Sequence, residues 1–307
     1  MAENVLEVKN LVKNYGDFRA VDDVSFSVPR GRVVGFLGPN GAGKTTTIHV
    51  LLGITERSGG TIRYFGDDFT NHRLKCLQRI NAASAFNTLL GRITVMENLL
   101  VFADLYEVPN ARQKIAELLE RFEMSHTASS QYWNLSAGQR TRINLVKSLL
   151  NDPEILLMDE PTASLDPDIA DKTLSIIEEL KRERGLSILF TSHNMSEITR
   201  ICDEVIFLDR GRIVAHDTPR NLVKRITAAT LRVAFASDAK EVIEEYLRGQ
   251  KQDFKFAGRD RVEIFTEENR IPELLFGMSH TGSRVVDIEI VKPTLEDVFL
   301  QIARTRI

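Results

Sequence analysis

The sequence predicts an α/β chain built on a largely parallel sheet with helices on its faces, followed by a small α+β unit. Three observations carry this expectation. From Val33 onward, short apolar runs alternate with helix-period segments, the pattern of strands joined by crossover helices. One of those strands, in RVVGFLG, runs into a glycine-rich turn and then the helix-forming segment TTTIHVLLG. The last part of the chain spells strand, helix, strand, strand, helix, strand.

The elements follow in order. LEVKNLVKNYG and VDDVSFSV alternate apolar with polar residues and read as half-buried antiparallel strands, so a short sheet opens the chain. The helix after the glycine-rich turn stops at Gly53. Apolar spacing then turns helical in MENLLVFADLY, ARQKIAELLERF and QRTRINLVKSLL, which marks a helical insertion over about 80–150. From Pro153 the short buried strands return in EILLMDE, LSILFTS and DEVIFLD, with helices through LSIIEELKRER and MSEITRIC between them. The hairpin DRGRIVAHD and a helix near NLVKRI close a first domain at 1–226. Residues 227–307 form a second domain: LRVAFA, DAKEVIEEYLRG, DFKFA, RVEIF, NRIPELLFGMS and RVVDIEI give a ferredoxin-like βαββαβ order. A final helix, TLEDVFLQIAR, carries Thr294 and Asp297 at capping-box spacing.

Composition sets outer limits. Hydrophobic residues at 43% and charged residues at 27% fit a folded globular chain. A net charge of -3 argues against a nucleic-acid binder, which concentrates basic surface. Cys76 and Cys202 stand apart without CxxC spacing, so neither a disulfide framework nor a zinc site is expected, and a reducing compartment fits. The opening MAENVLEVKN lacks the basic and apolar stretches of a secretion signal, and nothing approaches a membrane-spanning apolar run. Any membrane role needs a separate spanning chain.

Gly38, Pro39, Asn40, Gly41, Ala42, Gly43, Lys44, Thr45 and Thr46 read GPNGAGKTT, the pattern G-x-x-x-x-G-K-[ST] between a strand and a helix. Small residues let the backbone wrap a phosphate so that N–H groups point at the anion, and the helix adds the positive end of its dipole. Lys44 brings a full charge to the terminal phosphates and the Thr45 hydroxyl is the expected magnesium ligand. In LLMDEP, the strand ends in Asp159, placed to hold magnesium through water, with Glu160 beside it. Two solvated acids at a strand end are the alternative reading of that pair in isolation. A phosphate loop in the same sheet favours cation and proton handling instead.

LSAGQ at 135–139, SLDP at 164–167 and TSHN at 191–194 complete an ordered set. Together with GPNGAGKTT and LLMDEP, they resemble the ATP-binding-cassette (ABC) ATPases: phosphate loop, signature, magnesium strand, D-loop and switch histidine. The resemblance covers roughly residues 5–225. It implies a P-loop NTPase cassette with an antiparallel β subdomain and a helical subdomain, binding ATP and Mg2+. It further implies that two copies pack head to tail, so that Ser136, Gly138 and Gln139 of one face the phosphate loop of the other. Glu160 becomes the base that polarises water and His193 the group on the γ-phosphate; Asp166 of SLDP joins the nucleotide-binding set. Tyr15 resembles the aromatic on which the family stacks adenine; as an isolated residue it would be a core aromatic.

One position departs from the family. A glutamine usually follows the strand that leads into the helical insertion, yet none occurs between Arg79 and Leu100. Asn87 is the nearest substitute as a magnesium ligand, with Ser84 as another and a plain loop asparagine as the neutral alternative. The ending KPTLEDVFLQIA resembles ATPase subunits of ABC-2 type exporters of drugs, antibiotics or polysaccharides. The resemblance therefore implies the ATPase subunit of an exporter, a homodimer docked to a separate integral membrane permease on the inner face of the cell membrane. An importer ATPase and a soluble, non-transport ABC ATPase are the alternatives. The C-terminal unit could act as a dimer brace, a regulator, or neither.

Overall fold

A computed structural model of the 307-residue chain describes residues 3–84, 89–224, 228–236 and 239–304. It divides into two compact units, Met1–Pro219 and Arg220–Ile307.

The first unit opens with β1 (Asn4–Tyr15) and β2 (Phe18–Pro29), paired antiparallel as their alternation requires. Two strands not foreseen from the sequence, β4 (Gly59–Tyr64) and the short β5 (Asp67–Asp68), extend this sheet to the order β2-β1-β4-β5. The second sheet runs β10-β9-β3-β8-β7-β6. Its strands are β3 (Val33–Leu37), β6 (Ile80–Ser84), β7 (Ile155–Asp159), β8 (Ser187–Thr191), β9 (Glu204–Asp209) and β10 (Arg212–Asp217). All neighbours are parallel except the β9–β10 hairpin. Every side chain of β3 and β8 is buried, as expected of strands covered on both faces. One core joins the sheets: Val8, Leu11 and Val24 from the first meet Phe36, Leu157 and Leu189 from the second, along with Ile48 and Leu51 of α1 (Lys44–Leu51). Gly53, in the left-handed region at φ 70°, lies just past the end of that helix.

The helical insertion differs from expectation at its start. Ile80–Ser84 is a strand of the parallel sheet, hidden from a periodicity reading by its small residues, INAAS. A short helix, α2 (Arg73–Leu77), precedes it. The insertion's helices are α3 (Val95–Leu105), α4 (Ala111–Arg121) and α5 (Ala137–Ser148). Capping boxes start two of them, Thr94 with Glu97 and Ser136 with Gln139. After β7 come α6 (Pro167–Arg184) and, beyond β8, α7 (Met195–Ile201).

The two units divide between Pro219 and Arg220; the expected boundary residue, Ile226, lies outside the described residues. β10 ends at Asp217, and Pro219 opens α8 (Pro219–Lys224), so the parallel sheet is already finished there.

In the second unit, β11 (Ala228–Phe235), β12 (Asp253–Phe256), β13 (Arg261–Glu267) and β14 (Val285–Val291) form one antiparallel sheet, β12-β13-β11-β14. Leu231 and Val233 of β11 pack with Ile243 and Leu247 of α9 (Lys240–Gly249) and with Leu274 and Met278 of α10 (Ile271–His280). Arg232, between them on the opposite face, is 2.9 Å from Glu263 and 3.3 Å from Glu289 on the neighbouring strands, so that face carries a cross-strand charge ladder. The last helix, α11 (Leu295–Arg304), has the expected box: Thr294 N donates to Asp297 at 2.8 Å and Asp297 N to Thr294 Oγ1 at 3.3 Å. Leu231→Ala should lower the stability of this unit by about 2–5 kcal/mol. Urea unfolding reads it as an earlier transition of the C-terminal unit; a loss under about 1 kcal/mol would contradict this packing.

Candidate active site

The glycine-rich turn leaves β3 and enters α1 with its backbone in conformations that side chains resist. Gly41 has φ 80° and Gly43 φ 102°. A Cβ on Gly43 would lie 2.5 Å from the carbonyl oxygen of Ala20, so a larger residue would displace the loop. Pro39, Asn40, Gly41 and Thr45 are exposed, whereas Gly38, Ala42 and Lys44 are buried and Thr46 is half-buried. The Lys44 ammonium donates to Gly38 O at 2.6 Å and Pro39 O at 3.1 Å, which holds its head group within the loop. Burial pulls its pKa below the usual lysine value, while Glu160 and Asp159 act in the other direction. A charge this desolvated gains from an anion brought beside it.

The end of β7 lies against that loop. Asp159 accepts from the Thr45 hydroxyl at 3.2 Å through one oxygen and from Thr191 Oγ1, at the end of β8, at 2.7 Å through the other. Glu160 follows with φ 52°, a conformation costly for a residue with a Cβ. Its N–H, pointing back at β8, donates to Thr191 Oγ1 at 3.0 Å and Thr191 O at 3.2 Å. This turn carries the Glu160 side chain to His193, whose Nε2 is 2.5 Å from Oε1. Lys44, Thr45, Asp159, Glu160 and His193, separate in sequence, thus share one cluster, and Thr191 joins its parts. TSHN marked His193, but nothing in the sequence singled out the threonine before it.

Other expected residues lie at different points. The Ser136 hydroxyl accepts from Gln139 N at 3.2 Å and Gln139 Oε1 accepts from Ser136 N at 3.0 Å, so both side chains serve the start of α5. Among the described residues, no hydrogen bond links either to the phosphate loop of the same chain. Gly138 sits against Leu165, where a Cβ would come within 3.4 Å of the side chain. Thr141 and Ser164 hydroxyls lie 2.6 Å apart, tying the LSAGQ helix to the SLDP turn. Asp166 is exposed at the N-terminus of α6. Tyr15, 48% exposed at the end of β1, has the Lys13 ammonium 4.6 Å from its ring centre. Asn87 lies outside the described residues. Ser84 ends β6 directly opposite Asp159 in the parallel register.

The cluster suits a magnesium nucleotide. Thr45 and Asp159 offer hard oxygen donors close together, and magnesium is ordinarily held by one or two such groups plus substrate phosphates. No group of three or more His, Cys, Asp and Glu side chains able to hold a metal occurs among the described residues.

Residues 21–163 match the family model for ABC transporter. The chain is 39% identical over 221 residues to Nod factor export ATP-binding protein I of Ralstonia nicotianae, covering 71% of this chain and 68% of that protein. It is 30% identical over 300 residues to the uncharacterized ABC transporter ATP-binding protein YhcH of Bacillus subtilis, covering 97% of this chain and 96% of that one. Among solved structures, an ATP-binding subunit of an ABC transporter superposes with a TM-score of 0.67 at 29% identity, over 72% of this chain and 92% of its own. CbiO1 of Clostridium perfringens, part of the transporter complex cbiONQ, gives 0.65 at 25% identity, over 80% and 95%. Phosphate loop, paired acids and histidine, on the sheet that these relatives share, leave one assignment: the chain belongs to the ABC transporter family, as an ATP-binding, ATP-hydrolysing subunit.

Proposed function

We propose that this ATPase drives export through a separate integral membrane permease, working as a homodimer peripheral to the inner face of the cell membrane. The export direction is supported by the naming of the Nod factor export relatives and by the KPTLEDVFLQIA ending. The separate permease is supported by the lack, among the described residues, of any helix long and apolar enough to cross a membrane.

One observation carries the chemistry: the Glu160–His193 contact at 2.5 Å, beside the loop that holds Lys44. ATP is the substrate, with its phosphates in the loop formed by 38–46 and its adenine on Tyr15. Glu160 accepts a proton from water as the oxygen attacks the γ-phosphorus, and the bond to the ADP oxygen breaks. His193, paired to that carboxylate, orients it and reaches toward the γ-phosphate. Lys44 and the loop N–H groups stabilise charge spreading over the phosphoryl oxygens. Thr45 and Asp159 would hold Mg2+, with Asn87 as a third contributor; when bound, the ion neutralises phosphate charge.

The dimer follows from what one chain lacks. The first-turn N–H groups of α5 and the Ser136 hydroxyl make an anion-binding helix start, and among the described residues no hydrogen bond carries them to their own phosphate loop. A second copy related by a two-fold axis would bring its LSAGQ segment, with Gly138 and Gln139, to the γ-phosphate, and Asp166 with it. Closure around ATP and release after hydrolysis would then provide the motion delivered to the permease.

Glu160→Gln should bind ATP with near-normal affinity while turnover falls at least ~100-fold, because proton acceptance is lost but the cradle is kept. Steady-state phosphate release alongside binding of a fluorescent ATP analogue checks this; normal turnover would place the base elsewhere. Asn87→Ala should raise the magnesium concentration needed for half-maximal hydrolysis about 3-fold or more. An unchanged magnesium dependence would remove Asn87 from the metal site and leave Ser84 as the group to test.

A further inference from the structure

Glu197, on the first turns of α7, has no part in the chemistry above, yet it is only 7% exposed. Its Oε2 accepts two hydrogen bonds, from Thr162 Oγ1 at 2.8 Å and from Ser192 Oγ at 2.6 Å. Both donors are themselves buried, at 5% and 6% exposure. Thr162 follows Glu160 by two residues and Ser192 immediately precedes His193. One carboxylate oxygen therefore bridges the segment bearing the base to the segment bearing the histidine. Ser192 Oγ also accepts from Asn194 N at 3.0 Å, so the hydroxyl is fixed in direction by its acceptor and its donor. A buried carboxylate is costly unless its hydrogen bonds are made, so this one strongly favours the arrangement that supplies them.

The two segments need such a tie. A cleft of about 610 Å³, lined by Glu160, Thr162, His193, Glu197 and Arg200, borders them, so packing does not clamp that side. Arg200 is committed elsewhere, to Asp171 at 2.6 Å and Glu178 at 2.9 Å. On the sheet side, Thr191 fixes the Glu160 backbone through its hydroxyl and carbonyl; Glu197 is the corresponding tie on the cleft side.

We propose that Glu197 is a positioning residue for hydrolysis, holding the ends of β7 and β8 so that Glu160 and His193 meet at catalytic distance. The proposal rests on the roles given above to Glu160 and His193. Small displacements of a general base cost rate steeply while leaving substrate binding almost untouched.

The test measures kcat and ATP-analogue affinity of the full-length protein and its Glu197→Ala, Glu197→Gln, Thr162→Val and Glu160→Gln variants, with thermal melting as a check on folding. Glu197→Ala should lose about 10-fold in kcat and Thr162→Val about 3-fold, each with affinity changed less than about 2-fold. Glu197→Gln should stay within about 3-fold of the parent, because an amide oxygen still accepts from both hydroxyls. Thr162→Val keeps the shape of the site and reports the tie even if Glu197→Ala fails to fold. The proposal is overturned by parent-level kcat in folded Glu197→Ala or in Thr162→Val, by a parallel loss of affinity and kcat, or by a Gln variant as slow as the Ala variant. Parent-level turnover by Glu160→Gln would instead overturn the base assignment, whatever Glu197 does.

Discussion

The chemistry of this chain depends on the parallel register of β3, β8 and β7. Val33 pairs with Ile188, which is matched in turn to Leu156, so the three strands run level and end together. At that shared edge, β3 releases the phosphate loop, β7 delivers Asp159 and Glu160, and β8 delivers Thr191 and then His193. Ligands of open parallel sheets bind outside the carboxyl ends of the strands, and here the cause is visible. Backbone hydrogen bonds inside a buried sheet fix the strand ends, and short side-chain bonds carry that order to the proposed base and its histidine. Thr45–Asp159–Thr191 is one such chain of bonds and Thr162–Glu197–Ser192 another.

A second constraint comes from desolvation. Lys44 is buried among loop carbonyls and has its pKa pulled down, so its charge is held at a cost that a bound anion offsets. The left-handed Glu160 is likewise a strained conformation held by two hydrogen bonds to Thr191. Both features spend folding stability on arranging charge before substrate arrives, which is how phosphoryl transfer is accelerated. The LSAGQ helix start, by contrast, satisfies itself through its capping box and is tied to the SLDP turn by Thr141 and Ser164.

Much of this was legible in the sequence because the relevant signals are local. GPNGAGKTT, LLMDEP, LSAGQ and TSHN each fix a short conformation, and alternating or fully apolar strands reveal themselves by period. The strand Ile80–Ser84 showed only through the family resemblance and not through periodicity, because alanine and asparagine carry little strand signal, and its place in the sheet comes from pairing with β7. β5 is only two residues long and no pattern could declare it. Thr191, Thr162, Ser192 and Glu197 were missed for a different reason. A single threonine, serine or glutamate has no meaning until the fold brings partners from distant segments within bonding distance.

The central claim is that one subunit supplies half of each γ-phosphate cradle and its twin the remainder. ATP hydrolysis per molecule, followed by dilution from micromolar to nanomolar protein with sedimentation of the same samples, addresses it directly. The account predicts that specific activity falls as dimer gives way to monomer, in proportion to monomer concentration at the dilute end while the total rate follows its square. Constant specific activity in samples that sediment as monomer throughout would contradict it.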